Sequence, residues 1–105
     1  MAGDALFDVV TPLGLRVHVS RAYWEVIVTV KHPVLQGHEH AVETTLSAPH
    51  EVRRSRTDQR VLLFYRSISP NRWLCAVAKR LNGDGFLITA YPTDTIKEGE
   101  RVWMR

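Results

Sequence analysis

Hydrophobic and polar residues alternate strictly near the start of the chain, over residues 15–20. Such alternation is typical of a strand with one buried face and one solvated face. Residues 5–10 form another short apolar run, and the segment between the two runs contains Pro12 and Gly14, which favour a turn. The pattern therefore predicts two N-terminal strands joined by a turn.

The spacing of apolar residues changes after Ser20, which is a suitable N-cap residue. From residue 21 onward they recur at helical spacing, although the β-branched run at residues 26–30 is also compatible with a strand. Pro33 ends the element in either case, because the residue before a proline is disfavoured in the helical region. We therefore expect His32 at the terminus of this element.

A second helix is predicted over residues 39–48, after a connection over residues 33–40 that contains Gly37. Pro49 ends this helix for the same reason as Pro33 ends the first. The helix should bury one face against the rest of the chain. The residues expected on that face are Val42, Thr45 and Leu46.

After residue 50 the pattern is typical of strands separated by turn sequences. The predicted strands cover residues 51–55, 60–67, 72–80 and 85–91. The predicted fold class is α+β, in which N-terminal strands and two helices pack on a curved, mainly antiparallel meander of four strands. The two central strands are apolar on both faces, so that both faces should be covered, one of them by helices. We expect the tail, residues 92–105, to turn at residues 97–100 and to pack back on the domain.

The turn between the last two strands of the meander decides which face Lys79 occupies. If residues 83–84 alone form the turn, Lys79 points away from Thr89. A three-residue turn over residues 82–84 places Lys79 on the same face as Thr89 and Tyr91. Both alternatives remain open at the level of sequence.

Length and composition are ordinary for one globular domain, predicted here to span residues 1–105, with 45% hydrophobic and 24% charged residues. Cys75 is the single cysteine, so that no intramolecular disulfide can form, and a reducing, cytoplasmic location is expected. No apolar run approaches the roughly 20 residues of a membrane helix, and the N-terminus lacks the features of a signal peptide. We therefore expect no membrane association.

Positive charge is concentrated in one part of the chain. Residues 53–80 contain eight lysines and arginines and a single acidic residue, Asp58, although the net charge of the whole chain is only +3. A local excess of this size can attract a polyanion, and nucleic acid is the leading partner class. The alternative is a solvated surface that protects strand edges from aggregation.

Thr89 and Tyr91 are two residues apart on a predicted strand, so that their side chains project from one face. Two hydroxyl groups side by side can bind a phosphate, and a basic sheet with a nearby histidine supplies the groups needed to cleave RNA without a metal. His32 would transfer the proton, and Lys79 or an arginine would hold the charge of the phosphorane. The plainer alternative is that His32, beside Lys31, simply occupies a favourable position at a helix C-terminus.

A metal site is a weaker hypothesis. The only histidine cluster is His38-Glu39-His40, with His50 or Cys75 as a further ligand, and its spacing does not match a known motif such as HExxH. The sequence also lacks a Gly-rich phosphate loop. We therefore predict neither a metal nor a cofactor.

Five blocks of the sequence, in this order, resemble a phage- and bacteria-associated branch of the barnase, EndoU, colicin and RelE-like (BECR) nuclease superfamily. The blocks are residues 24–33, which end in Lys-His-Pro, and residues 46–49, 61–66, 73–79 and 86–91. The resemblance implies helices followed by a curved antiparallel sheet. It also implies a metal-independent ribonuclease, often a toxin or a toxin-like component of phage proteins.

The resemblance implies roles for individual residues as well. His32 matches the helical histidine, Lys79 or Arg54 the strand cation, and Thr89 with Tyr91 the terminal hydroxyl pair. Contacts to the substrate are expected from Lys31, Arg53, Arg56, Tyr65 and Arg66. The expected function is cleavage of single-stranded RNA through attack of the 2′-hydroxyl group, with a protein inhibitor or antitoxin as a further partner. The alternative is a non-catalytic RNA- or protein-binding module of the same fold.

Overall fold

The computed structural model describes residues 5–96 and 98–105, and its fold is α+β, as predicted. Within these residues a single sheet of seven strands packs against two helices. The strands are β1 (Ala5–Val10), β2 (Arg16–Ser20), β3 (Glu51–Arg54), β4 (Val61–Ser69), β5 (Arg72–Leu81), β6 (Asp84–Thr93) and β7 (Glu100–Met104). The helices are α1 (Arg21–Val26) and α2 (Glu39–Ser47).

The sheet differs from the predicted four-stranded meander in size and in pairing. Its order is β1-β2-β6-β5-β4-β3-β7, and β2 pairs with β6 in parallel, so that the sheet is mixed. The strands from β3 to β6 pair with one another in antiparallel orientation. The N-terminal strands extend the sheet instead of packing on it, because Val17 and His18 of β2 pair with Gly85 and Phe86 of β6.

Helix α1 begins where the sequence predicts, because the Ser20 hydroxyl accepts a hydrogen bond from the Tyr23 backbone N–H at 3.1 Å. It continues directly into a π-helical turn, Ile27–Lys31, which the sequence pattern did not predict. The helical segment ends at His32, before Pro33, as expected. Within the described ranges, no helix is long and apolar enough to cross a membrane.

The helices cover one face of the sheet, which we call the inner face. Val42, Thr45 and Leu46 of α2 are fully buried there, as predicted. They join a core with sheet residues such as Phe64 and Ala76. The opposite, outer face carries a smaller buried cluster of four residues: Leu63, Tyr65, Cys75 and Val77.

The outer face is covered by the connection between β6 and β7, residues 94–99, of which Lys97 lies outside the described residues. Ile96 packs against the outer cluster, and the Arg53 guanidinium donates a hydrogen bond to the Gly99 carbonyl at 3.2 Å. Strand β7 then pairs with β3 in antiparallel orientation. The prediction that the tail packs back on the domain is therefore confirmed, whereas the turn predicted at residues 97–100 falls partly outside the described residues.

Neither predicted form of the turn between β5 and β6 is correct. The turn consists of Asn82 and Gly83, which have φ angles of 53° and 87°, and Leu81 pairs with Asp84 on either side of it. Positive φ at both central residues is what a type I′ hairpin turn requires. A turn of this length alone does not place Lys79 on the face of Thr89.

A β-bulge in β6 changes the face of the sheet on which the later residues of that strand lie. Ala78 pairs with Leu87, whereas the next residue of β5, Val77, pairs with Thr89, so that Ile88 is an extra residue in β6. Beyond Ile88 the residues of β6 alternate again, but each faces the side of the sheet opposite to the one it would face without the bulge. Lys79 consequently lies on the outer face together with Thr89.

Candidate functional site

Two departures from regular secondary structure meet at one edge of the sheet: the π turn after α1 and the bulge at Ile88. Two ordinary helical turns take about seven residues, and a π turn adds about one, so that Tyr23 and Lys31, eight apart, share a face. The Tyr23 hydroxyl donates to the Ile88 carbonyl at 2.6 Å. The Lys31 ammonium donates to the same carbonyl at 3.1 Å and to the Tyr23 hydroxyl at 2.9 Å.

His32 and Tyr91 come together at this edge. Strand β2 pairs with β6 only at Gly85 and Phe86 in the described residues. Beyond this pairing, Lys31 of the π-helical turn and His32 contact β6 at Ile88 and Tyr91. The ring centroids of His32 and Tyr91 are 5.7 Å apart, with an angle of 37° between the ring planes. The structure thus places the histidine, the tyrosine and the ammonium group of Lys31 within one small region.

The Tyr91 phenol lies among the buried side chains of the outer face. Burial, the neighbouring Cys75 thiol and the Glu98 carboxylate raise its pKa well above the ordinary range. Burial also raises the pKa of Tyr65, and it raises the pKa of Cys75 to about 12. The Tyr91 phenol and the Cys75 thiol therefore both stay protonated at neutral pH, and the Tyr91 ring contacts His32.

Thr89 does not form the exposed hydroxyl pair with Tyr91 that the sequence predicts. Its hydroxyl oxygen is buried and, among the described residues, has no hydrogen-bond partner. The two side chains do share the outer face, because the alternation of the strand holds between them. Covering of that face by the β6–β7 connection removes the surface on which a phosphate would contact both hydroxyls.

Neither of the predicted strand cations lies beside His32. Lys79 is on the correct face, but its ammonium group is 3.4 Å from an Asp58 carboxylate oxygen, and it lies four residues from Cys75 in β5, about 13 Å along the strand. Arg54 pairs with Leu62, whose side chain is part of the inner core. The cation nearest to His32 among the predicted residues is Lys31.

Three of the predicted substrate contacts have structural roles instead. Arg53 forms an ion pair with Glu51 at 2.6 Å in addition to its bond to Gly99. The Arg66 guanidinium donates a hydrogen bond to the Ala48 carbonyl just after α2. Tyr65 is only 2% exposed. Tyr65 lies in the outer cluster, against which Ile96 of the β6–β7 connection packs.

A cavity of about 280 Å³ opens beside Tyr23, where β2 and β6 diverge. Tyr23 forms part of its wall and links it to the Lys31 ammonium through the hydroxyl. Its aromatic lining is suited to a flat, partly apolar group such as a nucleobase. The lining residues are His18, Val19, Ser20, Tyr23, Phe86 and Leu87.

The histidines of the metal hypothesis do not converge. Within residues 5–96 and 98–105, no three His, Cys, Asp or Glu side chains are close enough to hold a metal ion. His40 approaches only Glu43, at 3.7 Å. Nδ1 of His50 accepts a hydrogen bond from the Ser67 backbone N–H at 3.1 Å, and its pKa is lowered by burial and then by nearby arginines.

Asp58 supplies a prediction on stability. Hydrogen bonds from the Arg60 backbone and guanidinium, and then from Lys79, lower the pKa of Asp58 from 3.8 to about 2. A carboxylate with a lowered pKa stabilises the fold above its unfolded pKa, and this stabilisation is lost as the pH falls through the folded pKa.

Asp58→Asn keeps an acceptor for the Arg60 backbone N–H. We expect its melting temperature to be lower than that of the natural protein at pH 6, with the difference disappearing between about pH 4 and pH 2. A difference that is constant with pH would contradict the assignment.

Searches of protein-family models, of curated proteins and of solved structures found no match to this chain. The site therefore has to be judged on its own residues. Sequence reasoning missed the role of Tyr23, which appeared only as an apolar position of a helix. Its hydrogen bond to Ile88 joins residues that are 65 positions apart, and a pattern within one segment cannot predict such a contact.

Proposed function

We propose that this protein is a metal-independent endoribonuclease with its catalytic residues at the β6 edge. The contact between His32 and Tyr91, with ring centroids 5.7 Å apart, carries the proposal. The His32 imidazole is partly exposed, and the Lys31 ammonium group is held at the same edge of β6 by two hydrogen bonds. Proton transfer and charge stabilisation, the two requirements of RNA cleavage without a metal, are thereby available in one place.

The proposed reaction is an in-line displacement at phosphorus. His32 accepts the proton of the 2′-hydroxyl group while a bond forms between the 2′-oxygen and phosphorus. The bond from phosphorus to the 5′-oxygen breaks, and that oxygen takes up a proton from water. The hydroxide so formed takes the proton from protonated His32 and restores the neutral imidazole. The products are a 2′,3′-cyclic phosphate and a 5′-hydroxyl end. Lys31 stabilises the negative charge on the non-bridging oxygens of the pentacoordinate phosphorane.

Two tyrosines act as positioning residues in this proposal. Tyr91 packs against the His32 ring and limits its orientation. Tyr23 holds the Lys31 ammonium, which donates a hydrogen bond of 2.9 Å to the Tyr23 hydroxyl oxygen. Lys31 therefore takes the role that the resemblance implies for Lys79 or Arg54.

A BECR- or RelE-like assignment of the fold belongs to the same proposal. Two helices followed by the successive antiparallel strands β3 to β6 support it, since the resemblance implies helices before an antiparallel sheet. Single-stranded RNA as substrate, a toxin-like role in the cytoplasm and a protein inhibitor are further parts of the proposal. They follow from the resemblance and from the basic segment, residues 53–80.

The proposal is tested by incubating the purified protein with mixed RNA in the presence of EDTA. We expect cleavage that leaves 2′,3′-cyclic phosphate and 5′-hydroxyl ends, detected by mapping the new termini. The matched control is RNA with 2′-O-methyl groups, which lacks the attacking hydroxyl and should stay intact. Cleavage that needs added Mg²⁺, or that leaves 5′-phosphate ends, would exclude this mechanism.

A further inference from the structure

Arginine side chains gather around two cavities that share Arg54 and Gln59 in their linings, at the end of the sheet where β3 and β5 end and β4 begins. The larger cavity, about 420 Å³, is lined by Leu13, Arg54, Gln59, Arg60, Leu62 and Arg80. A neighbouring cavity of about 300 Å³ is lined by Arg54, Ser55, Arg56, Gln59 and Glu100. We call the two together the arginine groove, defined by Arg54, Arg56, Arg60 and Arg80.

The backbone explains why these residues meet. Arg54 is the last residue of β3 and pairs with Leu62, which pairs in turn with Ala78 of β5. Arg80 follows Ala78 by two residues and so projects from the same face. The Arg80 backbone N–H donates to the Arg60 carbonyl at 2.8 Å, which holds these two residues side by side.

The groove contains more positive charge than its carboxylates neutralise, because its four arginines face Glu100 of the lining and Asp58. Glu100 lies opposite Arg54 in the β3–β7 pairing. Asp58 is shared between Arg60, at 3.3 Å, and Lys79, at 3.4 Å. Among the described residues, neither Arg54 nor Arg80 forms an ion pair with a carboxylate. Like charges that line one cavity repel one another, and Arg54 and Arg80 are exposed residues. An anion bound between them would remove that repulsion.

Phosphate is the anion whose chemistry fits best. A guanidinium group presents a planar fork of donors that matches phosphate oxygens, and Gln59 and Ser55 add neutral polar groups to the lining. Four guanidinium groups spread over these two cavities suit a row of phosphates better than a single ion. We propose that the arginine groove binds the phosphate backbone of a single-stranded nucleic acid, namely RNA.

The groove is separate from the His32 region. Arg54 lies three residues along the strands and three strands across from Tyr91, about 10 Å in one direction and about 14 Å in the other. It also lies on the inner face, whereas Tyr91 lies on the outer face. The groove thus anchors the polymer at a distance from the bond that is cut. The choice of RNA rests on the proposed function, but binding of phosphates does not require His32.

The test uses a single-stranded RNA oligonucleotide with 2′-O-methyl groups, which keeps its phosphates and resists cleavage. Its dissociation constant is measured by fluorescence anisotropy over a range of KCl concentrations. Arg54→Gln and Arg80→Gln should each weaken binding about fivefold at low salt. Each should also reduce the slope of log K against log salt by about 0.7, the value for one single-strand phosphate contact.

Two further variants make the result specific to the groove. Arg72→Gln removes the same charge from an exposed residue of β5 eight positions from Arg80, about 26 Å away, and should change neither quantity. Arg80→Lys keeps the charge and should keep the salt slope. Circular dichroism confirms that each variant is folded before binding is compared.

Equal binding by the natural protein, Arg54→Gln and Arg80→Gln would overturn the assignment, as would equal losses in all three glutamine variants. Failure of the ribonuclease proposal has a different signature. Unmodified RNA would then stay intact, or His32→Ala would cut it normally, while the anisotropy results on the 2′-O-methyl oligonucleotide remain as expected.

Discussion

Replacing His32 by alanine should lower kcat/KM for RNA cleavage by roughly 10² to 10⁴-fold, the usual contribution of a general acid or base. The imidazole is the group that takes the 2′-proton in the proposed mechanism, and alanine cannot replace it. The loss should fall on kcat, because binding of the polymer depends on the basic surface elsewhere. The measurement is steady-state cleavage of an oligonucleotide in EDTA.

Matched controls separate this effect from a general loss of structure. His40→Ala removes a histidine whose side chain is 92% exposed at the start of α2, and it should keep full activity. Tyr91→Phe keeps the ring that contacts His32 and should keep most activity, whereas Tyr91→Ala should lose much of it. Full activity of a folded His32→Ala variant would remove His32 from the mechanism.

Gly99→Ala should be among the most destabilising small substitutions in this protein. Gly99 has a φ of 84°, and a Cβ atom built on it would lie 2.4 Å from the Arg54 carbonyl oxygen. The left-handed conformation alone disfavours alanine by about 1–2 kcal/mol. The contact with a backbone atom adds to this, because backbone in a paired strand cannot move aside cheaply. We expect a loss of about 3 kcal/mol or more in the free energy of unfolding, measured by urea denaturation.

Gly37→Ala is the matched control for the contact. Gly37 has the same φ of 84°, but no atom lies within 4 Å of the position that its Cβ would take. Its substitution should therefore show the conformational part of the loss alone, about 1–2 kcal/mol. Equal losses in the two variants would mean that the β6–β7 connection shifts to accept the methyl group, and that it holds the outer face less firmly than we infer.

Local signals were enough to place most of the elements. The Ser20 cap and the proline at position 33 mark the two ends of the first helical segment, and both signals act within a few residues. The alternation over residues 15–20 and the turn sequences between the later strands act at the same short range. Such features are encoded by neighbouring residues, so that the pattern alone predicted them.

The number and the pairing of the strands required tertiary information. Strand β2 pairs with β6, which lies far from it in the sequence, and β7 pairs with β3 after the β6–β7 connection has crossed the outer face. Pairings between distant segments depend on which faces the helices bury, and this is not visible in any single segment. The N-terminal hairpin therefore extends the sheet, where the sequence suggested a separate layer.

The candidate site was likewise predicted only in part from the sequence. His32 was predicted at a terminus and the structure brings it to Tyr91, yet the expected partners Lys79 and Arg54 lie elsewhere. Thr89 and Tyr91 share the outer face with Lys79 only because of the bulge at Ile88, and the charge of Lys79 is already paired with Asp58. A sequence records the residue types but not which charges are already paired.

By itself, the sequence determined the α+β class, the ends of the helices, the basic segment and the position of His32 beside a proline. These depend on backbone preferences and on charges counted along the chain. Only the tertiary structure decided that a π turn and a β-bulge meet at Ile88, that Lys31 is the cation near His32, and that a connection buries Tyr65. Each of these depends on contacts between segments far apart in sequence, where packing and hydrogen bonding of the whole fold set the register.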